Sequence, residues 1–162
     1  MKRITAKPAS QESPARQLAG FIAKFDPAIA AHVRAARAAL RKRLPTAVEL
    51  VYDNYNALAI GFGSTERVAD VIVSLAVYAR GVNLYFMYGA KLPDPERLLE
   101  GAGNQGRFIR LERVAQLHQP AVAALLRAAI EPGTTPLPAS GRGYPLIKSV
   151  SAKQRPRRPA SQ

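Results

Sequence analysis

An α+β fold is expected: a two-layer sandwich with a mainly antiparallel sheet of about five strands, covered on one face by helices from both ends of the chain. Three observations lead there. Two stretches before residue 45 and one after residue 119 carry apolar residues at helical spacing. Between them lie five strand-like stretches, most alternating with period two and one apolar on both faces. The links between successive strands are mostly short, which favours an antiparallel meander.

Taken in order, residues 1–14 are polar and hold Pro8 and Pro14, so they read as a loose N-terminal arm. From Ala15 to Phe25, Leu18, Phe21, Ile22 and Phe25 fall on one helical stripe. Asp26-Pro27 resets the chain, with Asp26 as cap and Pro27 opening a second helix. That helix buries Ile29, Val33, Ala36, Leu40 and Leu44, beside a stripe of Arg34, Arg37 and Arg41, and Pro45 closes it.

The period then changes. Val48, Leu50 and Tyr52 alternate with Glu49, Val51 and Asp53, and Leu58, Ile60 and Phe62 with Ala57 and Ala59. Val71 to Tyr78 is apolar on both faces and suits a central strand. Val82, Leu84 and Phe86 alternate with Asn83, Tyr85 and Met87. Asp94-Pro95 has the form of a cap opening a short helix anchored by Leu98 and Leu99, which Gly101, Gly103 and Gly106 would end. Arg107 to Leu111 is the fifth strand. Pro120 opens the last helix, whose stripe is Val122, Leu125, Leu126, Ala129 and Ile130.

Residues 15–131 therefore form one domain. The remainder, 132–162, holds six prolines, three glycines and six basic residues without an acid. Such a composition predicts a disordered, basic, proline-rich tail in which only Tyr144, Leu146 and Ile147 have the means to dock. The net charge is +13, and nearly half of it lies in this tail, so the domain itself is only mildly basic.

The chain has no cysteine, which excludes disulfides, thiolate metal sites and a thiol nucleophile. The N-terminus lacks the apolar core of a signal peptide. The longest apolar run, Val71 to Ala79, is interrupted by Ser74 and falls far short of the ~20 residues of a membrane helix. A cytoplasmic protein without membrane attachment is the expectation.

Several local strings carry a resemblance: Tyr52-Asp53-Asn54-Tyr55, Leu84-Tyr85-Phe86, Gly89 with Leu92-Pro93, and Leu99 through Arg110. Together with the element order they resemble the YdhG-like proteins, a bacterial family of unknown function whose fold is distantly similar to frataxin. The resemblance covers roughly residues 15–131 and implies a compact two-layer domain. By analogy with a member group described as intracellular iron chaperones, it also implies iron delivery as an alternative function. The residues disfavour that alternative. The N-terminal helical region offers only Glu12 and Asp26 against Arg16, Lys24, Arg34, Arg37, Arg41, Lys42 and Arg43, and iron needs oxygen or imidazole ligands.

No catalytic residues stand out. His32 and His118 have no metal-ligand partner at local spacing, no nucleophile elbow occurs, and no cofactor is indicated. Two clusters suit a ligand. Gly101 and Gly103, with Arg107 and Arg110, have the makings of a backbone N–H nest for phosphate or carboxylate; the same glycines equally suit a helix end and strand lead-in. Tyr52, Asp53 and Asn54 put polar groups at a strand end, where Asp53 could orient Arg110 and Tyr85 could complete a concave site; a plain hairpin turn is the bland alternative. The reading is a non-enzymatic domain that binds a small anion or a protein partner. Nucleic-acid contact through Lys148, Lys153, Arg155, Arg157 and Arg158 is the runner-up, since prolines keep those charges extended along a path that phosphates can follow.

Overall fold

The computed structural model describes residues 12–131 and 135–160, and within them the α+β sandwich is present. Helix α1 (Pro14–Ala23) starts from a Ser13 cap whose hydroxyl accepts the Arg16 N–H. Helix α2 (Pro27–Arg43) follows directly. Strands β1 (Val48–Asp53), β2 (Leu58–Gly63), β3 (Val71–Tyr78), β4 (Gly81–Phe86) and β5 (Arg107–Arg110) come next, then α3 (Pro120–Ile130) and a last strand β6 (Pro145–Val150). The sheet order is β5-β4-β3-β2-β1-β6. All neighbours are antiparallel except β1 and β6, which run parallel.

The helices lie on one face. Leu18, Ile22 and Phe25 meet Val33, Ala36 and Leu40 of α2 and Leu125 and Leu126 of α3 over Ile60, Phe62, Val73, Leu75, Leu84 and Phe86. These residues are the apolar stripes and alternate strand positions that the two periodicities single out. At the Phe62/Gly63 irregularity the register shifts, and Val71 turns to the opposite face. There it joins Val48 and Leu50 in a small second cluster with half-buried Tyr52, Met87 and Leu146.

Three expectations change. The stretch 94–98 is a turn rather than a helix. Asp94 does cap, accepting the Leu98 and Leu99 N–H groups at 2.9 Å each, but Arg97 takes a left-handed φ of 54° and no helix propagates. The N-terminal arm ends sooner than residue 14, because Ser13 and Pro14 belong to α1; residues 1–11 lie outside the described residues. The tail is the largest correction. From Gly143 to Arg158 it is part of the fold, and the sheet has six strands, not five; residues 132–134 and 161–162 of the expected tail lie outside the described residues.

The tail docks because β1 offers an unpaired edge. Glu49 N–H donates to the Tyr144 carbonyl at 2.8 Å, and Leu50 and Val51 pair with Leu146 and Ile147. Leu146 packs on the far cluster and Ile147 on the main core, so each covers one side of the sheet. Backbone pairing lets a segment poor in apolar surface dock where it has no core of its own. Gly143 admits the tail: its N–H donates to the Pro45 carbonyl at 2.8 Å, and a Cβ there would stand 1.9 Å from the Ala47 carbonyl oxygen.

Gly143→Ala is therefore expected to cost roughly 1–3 kcal/mol, the range for an overpacked site. Hydrogen exchange should show residues 145–150 losing protection while β2–β4 keep theirs. Unchanged protection of β6 would mean that the strand docks without this close approach.

Candidate functional site

Strand β1 turns Glu49, Val51 and Asp53 toward the helices, and both carboxylates are buried: Glu49 is 1% and Asp53 0% exposed. A charge held in that place needs partners. Glu49 receives Arg37 of α2 in a fork, Nε at 2.5 Å and Nη2 at 3.0 Å, with Arg41 Nε one turn further at 3.5 Å. Asp53 receives Lys24 Nζ at 2.7 Å from the end of α1 and Arg157 Nη2 at 2.9 Å from the C-terminal segment. Arg157 also donates to the Asn54 carbonyl and packs over the Phe25 ring. Burial pushes the Asp53 carboxyl up, but the hydrogen bonds from Lys24, Gln154 and Arg157 and the charge of Lys24 outweigh it, and the group sits below its ordinary value.

The strand-end cluster is thus occupied by the chain itself. Ser151 N–H and the Gln154 amide both donate to the Asp53 carbonyl, Arg155 N–H to that of Tyr55, and the Ser149 hydroxyl to the Asn54 side chain. Asp53 does not orient Arg110. Tyr52, Ala59, Ala76, Asn83 and Arg110 form one register row across the sheet, with Tyr52 and Arg110 near its two ends. Four strand spacings of about 4.8 Å put them roughly 19 Å apart. Tyr85 lies next to the β5 edge, paired with Phe108, and its hydroxyl fills the space that a Cβ on Gly106 would need.

The glycine turn faces the other way from a nest. Arg107 Nη1 donates to the carbonyls of Gly106 at 2.7 Å and Ala102 at 3.2 Å, and Nη2 to that of Gly103 at 2.9 Å. Positive φ at Gly101 (120°) and Gly103 (92°) shapes this loop. Its carbonyls hold a cation of the same chain.

The tail arginines are largely engaged as well. Arg157 is buried, and Arg158 Nε donates to the Lys24 carbonyl at 3.1 Å and lies 3.9 Å from Asp26. Lys148 donates to the Glu66 carbonyl, and Arg155 stacks over Tyr55. Lys153 is exposed.

One of the predicted residues, Arg110, does line a cavity. A concavity of about 600 Å³ opens where α2 begins, β3 turns into β4 and β5 ends. Arg80, Asn83, Arg110, Glu112, His32 and Tyr78 give it polar atoms, and Ile29, Val82, Phe108 and Leu111 give it apolar walls. Among the described residues, neither Arg80 nor Arg110 is ion-paired. His32 Nε2 lies 2.7 Å from the Leu111 carbonyl, which only accepts, so Nε2 is the donor of that contact. Sequence reasoning passed over Arg80 because it sits in a tight turn with no motif around it. Its signal was a second arginine brought to the Arg110 end of the sheet by the β3–β4 hairpin. Among the described residues, no group of three or more His, Asp or Glu side chains could hold a metal ion, and no helix is long and apolar enough to cross a membrane.

Removing one partner from a buried pair strands the other. Arg157→Met is expected to cost about 3 kcal/mol in urea denaturation, against less than about 0.5 kcal/mol for Lys153→Ala. Asp53 also sets a pH dependence. Its lowered value stabilises the fold fully above the ordinary carboxylate range, ~3.9, and the stabilisation fades as pH falls through the folded-state value. The stability gap between wild type and Asp53→Asn should stay level from about pH 7 to about pH 5 and narrow below about pH 4; a gap that widens in acid would exclude this account. No family model, curated protein or solved structure matches the chain.

Proposed function

We propose that this chain is a YdhG-like, non-enzymatic binding domain that takes a small organic anion in the cavity between α2 and the β3–β4 hairpin. The observation that carries the reading is the pairing state of its cations. Lys24, Arg37, Arg41 and Arg157 are held by the two buried carboxylates, and Arg107 by the glycine loop, while Arg80 and Arg110 line one cavity with no ion pair among the described residues. Two guanidiniums and the Asn83 amide offer planar donors suited to a carboxylate. Apolar walls beside them suit an organic body, and the volume lies within the ~300–1,000 Å³ usual for small-molecule sites.

A thermal-shift series with organic acids, inorganic phosphate and nucleotides tests the reading, since a ligand of the native state raises the melting temperature. An organic carboxylate is expected to give the largest rise. Arg110→Ala and Arg80→Ala should each weaken it by roughly 1–3 kcal/mol without lowering the melting temperature of the free protein. Arg107→Ala should do the reverse, lowering stability and sparing affinity. Loss of binding in Arg107→Ala with binding intact in Arg110→Ala would move the site to the glycine loop.

A further inference from the structure

The cavity carries charge of both signs, and the charges do not neutralise one another. Glu112 lines it together with Arg80 and Arg110, yet no oxygen of Glu112 comes within 4.0 Å of either guanidinium. The segment bearing Arg110 and Glu112 is held still from two sides. Gln116 clamps it: Oε1 accepts the N–H groups of Glu112 at 2.6 Å and Arg113 at 2.8 Å, and Nε2 donates to the Arg110 carbonyl at 3.1 Å. His32 holds the Leu111 carbonyl at 2.7 Å, and Leu111 N–H continues the ladder to Val82 at 2.9 Å. Arg110 ends β5 and Glu112 follows two residues later at a bend, so both side chains start beside the same concavity. The backbone carrying a cation and an anion is thereby held at the rim of one concavity, with both side chains exposed to it.

Resting on the anion-binding reading above, we infer that the ligand is a zwitterion: a free amino acid, or a close analogue, with an apolar side chain. Its carboxylate meets Arg80 and Arg110, its ammonium meets Glu112, and its side chain lies against Ile29, Val82 and Phe108. A plain carboxylate leaves Glu112 facing it as a like charge. A zwitterion turns that repulsion into a charge-assisted hydrogen bond.

Titration calorimetry on the full chain with three matched probes, L-phenylalanine, 3-phenylpropionate and 2-phenylethylamine, separates the terms. The two acids differ by the amine alone, and the third probe lacks the carboxylate. L-Phenylalanine is expected to bind roughly tenfold more tightly than 3-phenylpropionate, the effect of one charged hydrogen bond, and 2-phenylethylamine weakest of all. Glu112→Gln, at an exposed position, should bring L-phenylalanine down to the level of 3-phenylpropionate and leave the latter no weaker. Equal affinity for the two acids, unchanged by Glu112→Gln, overturns the zwitterion while the anion site stands. Failure of both acids to bind at millimolar concentration overturns the two readings together.

Discussion

The fold depends on what β1 does with two carboxylates. A strand in a two-layer sandwich ordinarily turns apolar residues to its helices. Here β1 sends Glu49 and Asp53 inward with Val51 between them, and both are fully desolvated. Each carboxylate then dictates where cations must stand. Glu49 fixes the rotation of α2 about its axis, since Arg37 and Arg41, four residues apart, must both face the same point of β1. Asp53 draws together the end of α1, the β1–β2 hairpin and the C-terminal segment. A buried ion pair adds little net stability compared with apolar residues of the same shape. What it supplies here is an address. Arg157 reaches Asp53 with residues 145–150 lying parallel to β1 and the following residues folding over the hairpin.

How far the sequence spoke for this structure differs from element to element. Where a periodic apolar stripe decides burial, the reading held: α1, α2, α3 and five strands fall close to where Leu18, Val33, Leu84 and Leu125 place them. The tail did not follow its composition, because composition measures whether a segment can build a core and not whether it can borrow an edge. Pro145–Val150 needs only the open side of β1, two apolar residues and one arginine. The turn at 94–98 shows a different failure. Asp94 and Pro95 satisfy the rules for a helix start, but those rules describe capping of N–H groups, and a turn leaves the same groups to cap.

The glycine loop was ambiguous for a related reason. Glycines announce that the backbone takes an unusual course, but not whether its N–H or its C=O groups point inward. Arg107 resolves it by standing within the loop as a cation, so the carbonyls converge. Tyr52, Asp53 and Asn54 do stand at a strand end, but the expected ligand site there is filled from within the chain. Their partner proved to be residues 149–157 of the same chain.

Charge sorting connects these points to the cavity. With 24 basic residues against 11 acidic ones, the chain cannot pair every cation, so the informative quantity is which cations it leaves open and where. Most of the open ones lie singly on the outer surfaces of helices and loops, where water solvates them at little cost. Arg80 and Arg110 differ because they share a concave wall with apolar groups. Both side chains are exposed, so what sets them apart is convergence: two guanidiniums beside one concavity can meet a single anion together, which a lone cation on a flat face cannot. Glu112 stands close by on a backbone that Gln116 and His32 hold from both sides, and it forms no ion pair with either arginine. The same economy of acids that makes Asp53 the anchor of the C-terminus leaves this corner of the sheet with its charges separated and open to a ligand.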